Sequence, residues 1–591
     1  MRLTPDQFWN YQEWLFNHWG LLWGLGIALI LSIVGFLIGF LVATLKHGPS
    51  EGFLQVSKVI GELFTIDIPK MSFRRVFAIA KLSFKEAIRN KVLIVVLVFV
   101  IGIMFAGWFL DRNAANPAQL YIPTVLTATS YLMFLMALFL STFSIPRDIS
   151  NRVMYTIVTK PVRPTEIFLG RVLGFAGVGT LCLLVFGVMS YMFVVRGLRH
   201  SHEVAAVQAN GLAGETKKEH NHSHTFTLDE TGEGTTETVK GHRHIVRKVD
   251  GKLVVLDQVD DLTARNPIYG MLRFTGRDGE EGIGLNVGYM SEYHKYIEGD
   301  SLMSAIWRFD GIRPSSFSDT LNFDFTLSAF RTYKGDIVTP VGVEVKFRSI
   351  DGKVESDRIQ FKVKEFLIDQ KSIPLKLKGI KDLQPADLDF FTDIAKDGSF
   401  EIVVRCLDRG QYLGMAAADC YLRAKESSFE WNFTKGIISI WLRMFIVICF
   451  GVMFSTFLSG PVAVIATVSV IVLGMFGWFV DDLVSGKLAG GGPVEALVRL
   501  PLQSGSGTEL DLGNEVIENV IRGIDKVVLY SVAAMKYALP DLYSLETSEF
   551  IAHGVNLFEG LLARHLTIAL GYFLMTSIIA YFFLKTREMA G

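Results

Sequence analysis

Charged side chains are scarce in this sequence. They make up 20% of the 591 residues, whereas half of the residues are hydrophobic and the mean hydropathy is +0.36. A typical soluble domain has about a quarter of its residues charged. The composition therefore excludes an ordinary soluble protein and indicates a chain that lies largely in a membrane.

The sequence also lacks the short motifs that mark common catalytic sites. No G-x-x-x-x-G-K-[ST] phosphate-binding loop occurs, and the nearest stretch, GLAGETKKEH at 211–220, has the wrong spacing. H-E-x-x-H and G-x-S-x-G are absent as well. We therefore expect no enzyme activity in this chain.

Long apolar runs are what the sequence has in abundance. Seven of them approach or exceed the ~20 residues that a helix needs to cross a bilayer. They cover residues 21–45, 92–110, 122–145, 167–195, 437–458, 461–480 and 565–584. The first run is too long for the apolar region of a signal peptide, and no small-residue cleavage site follows it. We expect it to remain as an N-terminal anchor.

The charge of the loops predicts the orientation of these spans. Residues 47–91 hold eight Lys or Arg against four acids, and 146–171 and the C-terminal tail are also basic, whereas 481–560 holds twelve acids and five bases. The positive-inside rule then places the basic segments in the cytoplasm. The N-terminus would lie outside and the C-terminus in the cytoplasm. We expect the membrane to be the cytoplasmic (inner) membrane of a bacterium.

Charge within the spans is rare, and Arg443 is its clearest case. It lies near the predicted outer end of its span with Trp441 beside it. This position predicts that the side chain reaches the membrane surface, with a role in a transport path as the alternative.

The segment between the fourth and fifth runs, residues 197–432, is long enough to form a domain of its own. From about residue 250 it alternates apolar and polar residues in short runs, with Asp351-Gly352 as a hairpin turn signal. This pattern predicts a mainly-β, sandwich-like domain over 250–432, outside the membrane.

Cysteine is rare, with four in the chain. Cys182 and Cys449 fall within apolar runs, whereas Cys406 and Cys420 lie in two strands of the outside segment that are predicted to pair with each other. An oxidising compartment would allow Cys406 and Cys420 to form a disulfide, and two unpaired thiols are the alternative.

Seven of the twelve histidines lie within residues 200–244. The stretch HNHSHTFTLDETGEGTTETVKGHRH is typical of a hairpin with a His-x-His pair on each arm, and alternate residues of a strand point to one face. The side chains that could then converge on a zinc or copper ion are His222, His224, His242 and His244. A polar hairpin or stalk that binds nothing is the alternative.

Two stretches beside the apolar runs combine basic and apolar residues. FRRVFAIAKLSFKEAIRNKVL, at 73–93, has the spacing of an amphipathic helix at a membrane surface. PRDISNRVMYTIVTKPVRPTEIFLGR, at 146–171, holds five basic residues and three prolines. The first stretch resembles the elbow helix of type-2 permeases of ABC transporters, and the second resembles the cytoplasmic loop of the same family. FGVMFSTFLSGPVAV at 450–464 is similar to that family's turn between core spans four and five, and FFLKTREMA at 582–590 to its C-terminal end.

This resemblance implies a six-helix core that forms a homodimer, or a heterodimer with a similar permease. Separate ATPase subunits that bind ATP-Mg would drive it through a coupling helix in loop 146–166, which Pro161 and Pro164 would terminate. The side chains expected to contact the ATPase are Arg152, Val153, Tyr155, Ile157 and Lys160. A basic loop that only fixes topology is the alternative. The extra N-terminal span and the large outside insertion depart from the family's usual pattern, so the substrate stays open.

The predicted fold is thus an α-helical polytopic membrane protein, with a six-helix permease core, one N-terminal helix and an inserted mainly-β domain. Its predicted segments are an anchor (1–46), a cytoplasmic linker with the elbow helix (47–91), core helices 1–3 (92–196), a His-rich hairpin (197–249), the β domain (250–432), core helices 4–5 (433–480), an outside or re-entrant helical segment (481–562) and core helix 6 with the tail (563–591).

The predicted function is that of an ABC permease subunit, with no nucleic-acid partner. A non-transporting scaffold or sensor, and a protein that passes metal from the histidines into the core, are the alternatives.

Overall fold

The computed structural model describes most of the chain. The described residues are 11–17, 20, 22, 26, 29, 33, 37, 39–41, 44–45, 48–89, 93–110, 117–153, 162–208, 212–229, 232–237, 239–240, 242–249, 251–259, 262–286, 294–317, 320–331, 340–363, 369–382, 384–485, 492–502, 505 and 515–586. They form two compact units. One contains residues 262–432 with 554–556, and the other contains the helices and residues 200–259. Each unit is described by itself.

Helices make up most of the larger unit. They are α1 (Pro49–Glu62), α2 (Phe73–Ala87), α3 (Leu93–Phe109), α4 (Pro117–Thr142), α5 (Ser144–Ser150), α6 (Pro164–Leu198), α7 (Phe429–Ser455), α8 (Gly460–Met475), α9 (Gly477–Val484), α10 (Pro493–Leu502), α11 (Glu515–Ala538), α12 (Ser548–Ala552) and α13 (Glu559–Thr586).

Four of the described helical stretches are long and apolar enough to cross a membrane. They are Pro117–Ser150, Pro164–Leu198, Phe429–Ser455 and Glu559–Lys585. They confirm four of the seven predicted spans and make the chain a membrane protein. The apolar runs at 92–110 and 461–480 form the shorter helices α3 and α8. Most of the predicted anchor lies outside the described residues, so the anchor and the six-helix core stay predictions.

Helix α2 packs closely against the first half of α6. It buries Val76, Ile79 and Ala80 there. A side chain added at Gly174 would meet the backbone oxygen of Ala80 at 2.6 Å, and one added at Gly170 would meet Ile79 at 2.6 Å. The predicted amphipathic helix is thus confirmed as a helix, and two glycines four residues apart allow its close approach, as in helix pairs within membranes.

Arg443, which the sequence predicted to extend to the membrane surface, is buried within the protein. Its side chain is 2% exposed, forms an ion pair with Glu546, and donates a hydrogen bond to Ser130 Oγ at 3.2 Å. Its guanidinium also lies 5.0 Å from the ring centre of Phe134. Sequence analysis did not predict this burial, because Glu546, about 100 residues away in sequence, supplies a counter-charge that no local pattern reveals.

A six-stranded antiparallel meander follows α6 in the same unit. Its strands are β1 (Val204–Val207), β2 (Ala213–Thr216), β3 (Thr225–Leu228), β4 (Glu233–Thr236), β5 (Arg243–Val249) and β6 (Lys252–Val259), paired in chain order. Phe226, Val246 and Val255 form its small core. The meander extends beyond the predicted hairpin and includes the first residues that sequence analysis placed in the β domain.

The smaller unit is the mainly-β region that the sequence predicted. Its strands are β7 (Ala264–Tyr269), β8 (Met271–Thr275), β9 (Glu281–Gly282), β10 (Lys295–Glu298), β11 (Ser304–Phe309), β12 (Thr320–Phe325), β13 (Ser328–Arg331), β14 (Val341–Ser349), β15 (Val354–Ser356), β16 (Ile359–Val363), β17 (Asp369–Pro374), β18 (Lys376–Lys381), β19 (Gln384–Asp389), β20 (Phe400–Cys406), β21 (Gln411–Met415) and β22 (Cys420–Ser427). Nine of them form one sheet in the order β19-β18-β15-β14-β20-β11-β8-β9, with β16 also on β14; the other two sheets are β17-β12-β22-β7 and β10-β21-β13.

Aromatic side chains fill the space between the nine-stranded and four-stranded sheets. Phe323 of β12 lies edge-on to Phe347 of β14, with ring centres 5.5 Å apart, and Phe325 of β12 contacts Trp307 of β11. All four are fully buried. This core of side chains from two facing sheets is the packing of a β-sandwich. The predicted turn at Asp351-Gly352 joins β14 to β15, and Gly352 has a φ of 70° that suits glycine.

The candidate disulfide is not formed in this structure. Cys406 and Cys420 are buried free thiols, as are Cys182 and Cys449. Cys406 ends β20 in the nine-stranded sheet and Cys420 begins β22 in the four-stranded sheet, so the two strands are not paired as the sequence suggested.

The glycine contact between α2 and α6 provides a test of the helical packing. Gly174→Leu should push α2 away from α6 and lower thermal stability in detergent, by about 1–3 kcal/mol for an overpacked contact. Gly571→Leu is the matched control, because a side chain added at Gly571 meets nothing within 4 Å. Equal melting temperatures for the two variants would contradict the packing.

Candidate metal centre and coupling region

The meander brings three His-x-His pairs to one of its ends. In an antiparallel meander, the start of the first strand and every second turn lie at the same end. His200 and His202 precede β1, His222 and His224 precede β3, and the last pair, His242 and His244, lies at the start of β5. The β2–β3 and β4–β5 connections are both at this end, so the topology alone collects all six histidines.

Tight turns set the register of the two later pairs. Glu219 and His222 exchange backbone hydrogen bonds of 3.0 Å across His220 and Asn221, whose φ angles are 49° and 62°. Two positive φ angles in succession define the type I′ turn, which fits the twist of a hairpin. Val239 and His242 likewise exchange two backbone hydrogen bonds, of 3.0 and 3.3 Å. Both bridges end at the first residue of a His-x-His pair, so these two pairs start from the same backbone hydrogen-bond pattern.

The six histidines form one mostly buried cluster. His202, His222, His224, His242 and His244 are at most 7% exposed, and His200 is half-buried. Two overlapping sets of four have ligand atoms within 4.8 Å of one another: His200, His202, His222 and His242, and His202, His224, His242 and His244. The cluster could therefore hold a metal ion, as sequence analysis predicted for four of its members.

Backbone carbonyls orient the imidazole rings. In five of the histidines, Nδ1 lies within hydrogen-bond distance of a backbone carbonyl oxygen. The distance is 2.7 Å from His200 to Leu198, 3.0 Å from His202 to Lys217, 3.1 Å from His222 to His220, 3.0 Å from His224 to Glu237 and 2.9 Å from His244 to Leu256. A carbonyl can only accept, so each Nδ1 carries the proton and donates. The lone pair is then on Nε2, which is how second-shell groups prepare histidine to bind a metal.

The Nε2 atoms face one another inside the cluster. The Nε2 of His222 lies 3.1 Å from that of His200, 3.3 Å from that of His202 and 3.2 Å from that of His242. Neighbouring lone pairs at these distances repel unless a proton or a cation lies between them. A bound cation would satisfy all of them together.

Burial favours the neutral form of four of these imidazoles. Removal from water is the main cause that lowers the pKa of His200 and His222 to about 4 and that of His242 to about 2, and neighbouring imidazoles lower each further. Burial also lowers the pKa of His224. Neutral imidazole is the form that coordinates a metal, so the cluster is ready to bind at neutral pH.

Sequence reasoning found four of the six histidines and missed His200 and His202. It treated the stretch as a single hairpin, whereas the structure has a meander with three equivalent pairs. The signal was present in the spacing: the first residues of the His-x-His pairs are at 200, 222 and 242, intervals of 22 and 20 residues. Thr216 and Thr236, also 20 residues apart, each accept a hydrogen bond from the backbone nitrogen of the following pair's second histidine.

The predicted coupling helix lies mostly outside the described residues. Of its five named side chains, Tyr155, Ile157 and Lys160 are not described, whereas Arg152 and Val153 are exposed just after α5. Arg152 has a φ of 58°, so the chain leaves the helical conformation there. The structure therefore does not test the five residues as a group, and the coupling helix stays a prediction.

Buried ion pairs surround the described ends of that loop. Glu166 is fully buried and accepts hydrogen bonds from Arg75 at 2.6 and 2.8 Å and from the Ser72 nitrogen at 2.8 Å. Arg171, 1% exposed, pairs with Glu86 at 2.9 Å and also with Asp148. These pairs join α2, the start of α6 and α5, which ends at the loop.

A second charged cluster ties the loop to the last helix. Asp67 is 3% exposed and accepts from Arg163 at 2.8 Å, Tyr581 at 2.8 Å and Lys585 at 3.0 Å. Lys585 also pairs with Glu62 at 3.1 Å. Sequence analysis did not single out these acids, because their partners are up to 518 residues away.

The described residues thus define a membrane protein with a mainly-β region, a buried histidine cluster and a set of buried ion pairs among its helices. Comparison with protein-family models and with curated proteins finds no match.

The lowered histidine pKa values predict how the metal-free cluster responds to acid. Unfolded histidine protonates near pH 6.5, whereas His200 and His222 resist protonation until about pH 4 when folded. The unfolded state therefore binds more protons between these values, and the meander should lose stability as pH falls from 6.5 to 4. Hydrogen exchange of peptides from 200–259 in the metal-free protein, corrected for intrinsic rates, should show this loss. Unchanged protection down to pH 4 would contradict it.

Proposed function

We propose that this chain is the permease subunit of an ABC transporter, driven by a separate ATPase subunit. The observation that carries the proposal is that buried ion pairs join three distant segments: the linker before α3, the loop between α5 and α6, and the end of α13. The loop-charge rule assigned each of these segments to the cytoplasmic side independently. A permease needs such a connected surface there, because ATPase movement must reach several helices at once.

The position of α2 supports the same function. It lies just before a predicted span, buries one face against α6 and leaves Phe73 and Phe77 about two-thirds exposed. Exposed aromatic side chains on a helix beside a membrane span suit contact with lipid. An elbow helix has this arrangement, and the ion pair of Arg75 with Glu166 would carry force from it into α6.

The proposal includes partners and a location. The chain would form a homodimer, or a heterodimer with a similar permease, in the cytoplasmic membrane of a bacterium, with its N-terminus outside. ATP-Mg would bind in the ATPase subunits. The loop at 146–166 would contact them, with Arg152, Val153, Tyr155, Ile157 and Lys160 as the contact residues.

Cysteine labelling tests the orientation on which the proposal depends. Lys353→Cys should react with an impermeant thiol reagent in intact cells, whereas Ser150→Cys should react only after the membrane is opened. Both positions are exposed and all four native cysteines are buried, so background labelling should be low. Labelling of Ser150→Cys in intact cells would invert the topology.

A matched pair of tyrosine variants tests the coupling loop. Tyr155→Asp would place a charge in the proposed ATPase contact, at a cost of ~2–4 kcal/mol by analogy with interface hot spots. The protein should still insert into the membrane but should no longer recover the ATPase in a pull-down. Tyr543→Asp, at a tyrosine that is 52% exposed in the predicted outside segment, is the control. Equal recovery of the ATPase by both variants at equal membrane yield would refute the coupling role.

The histidine cluster favours a second candidate function. A scaffold or sensor that does not transport could use the meander to bind metal outside the membrane and the helices to report its state. The two functions differ in whether an ATPase co-purifies with the intact chain and whether its ATP turnover changes with Tyr155→Asp. A chain that binds metal but never recovers an ATPase would be the sensor.

A further inference from the structure

The three His-x-His pairs are related by an approximate threefold repeat. In two of the three first members, Nδ1 contacts the carbonyl two residues earlier: His200 contacts Leu198, and His222 contacts His220. In the second member, Nδ1 contacts a carbonyl further along the meander, as in His202 with Lys217 and His224 with Glu237. The rings therefore fall into two sets of three, His200, His222 and His242 against His202, His224 and His244.

The ring positions have the connectivity of an octahedron. In every pair of these six rings except three pairs, the ring centres lie 4.7–5.4 Å apart and the ring planes are inclined by 69–88°. The three exceptions among these six described residues are His200 with His224, His202 with His242, and His222 with His244. Each of the six residues belongs to one of these three pairs. Every ring therefore has one ring opposite to it and lies next to the other four, as the corners of an octahedron do. The two sets of three form opposite triangular faces.

This arrangement distinguishes two coordination geometries that the shortest distances alone do not. The Nε2 atoms are 3.1–3.3 Å apart. Ligand atoms at this spacing fit the edges of a tetrahedron with metal–nitrogen bonds of ~2.0 Å. They fit the edges of an octahedron with bonds of ~2.2–2.3 Å equally well. A tetrahedral site has no opposite ligands and uses four. Six rings in three opposite pairs, with five of the Nδ1 atoms held by carbonyls, fit the octahedron.

We propose that all six histidines coordinate one divalent first-row metal ion in octahedral geometry, through Nε2. Imidazole ligands favour iron, nickel, copper and zinc, of which zinc prefers tetrahedral and copper(II) tetragonal sites. The geometry therefore points to Fe²⁺ or Ni²⁺. This inference does not depend on the transport proposal.

A coordination sphere of six protein ligands leaves no position for a substrate or a reactive water. Closed sites of this kind are structural. The ion would tie His200, two residues beyond the end of α6, to two turns of the meander, and so fix the outer part of the chain to a membrane helix. The meander needs such a link because the described part of its core holds only three buried apolar side chains.

Spectroscopy of the intact protein in detergent tests the geometry without any substitution. Protein freed of metal and titrated with Co²⁺ should take up one ion per chain and show the weak absorption bands of six-coordinate cobalt. X-ray absorption of the Ni²⁺-loaded protein should give six nitrogen neighbours at about 2.1–2.3 Å. Intense tetrahedral cobalt bands, two ions per chain, or no binding would each overturn the proposal.

Single substitutions then test the assignment of ligands. His224→Ala and His244→Ala remove ligands that a site built from His200, His202, His222 and His242 would not use, and each should weaken Ni²⁺ binding by at least ~10-fold. His220→Asn is the control, because its ring is exposed, asparagine tolerates its positive φ, and its backbone oxygen still accepts from His222. Wild-type Ni²⁺ affinity in both alanine variants, with circular dichroism unchanged, would refute six-coordination.

Discussion

The ion pairs of Glu166 and Arg171 near the start of α6 are the contacts on which the arrangement of the helices depends. Both side chains are almost completely buried, so each needs an opposite charge close by. Arg75 and Glu86 on α2 and Asp148 on α5 supply those charges. Because a buried charge left alone is costly, α2 and α5 cannot move from α6 independently. The close approach at Gly170 and Gly174 follows from the same constraint.

Helix α6 is also the element that both candidate sites share. It has 35 residues, or about 50 Å at 1.5 Å per residue, and carries the buried charges near one end and leads into His200 at the other. A helix of this length transmits displacement along its axis because its backbone hydrogen bonds are continuous. Under the two proposals, a metal ion would restrict α6 at its histidine end, and an ATPase would act near the opposite end.

The candidate metal site was predictable in kind and only partly in membership. His-x-His spacing and the density of histidines indicated imidazole ligands, and the structure places His222, His224, His242 and His244 together as predicted. His200 and His202 were missed because their pair lies beside the end of an apolar run, not in a visible hairpin. The coupling residues were chosen from prolines and apolar spacing, and the ion pairs beside them were invisible because their partners are distant in sequence.

The sequence by itself determined four of the long apolar helices and the mainly-β character of the region between the fourth and fifth apolar runs. Apolar runs and alternating patterns are local, and four long apolar helices, the amphipathic α2, the turn at Asp351-Gly352 and the mainly-β region all follow from them. Only the tertiary structure decided that Cys406 and Cys420 lie in different sheets, that Arg443 pairs with Glu546, and that six imidazoles meet. Each of these depends on which distant backbone segments pair and in what register. Local patterns do not encode that pairing, because it results from the packing of the whole unit.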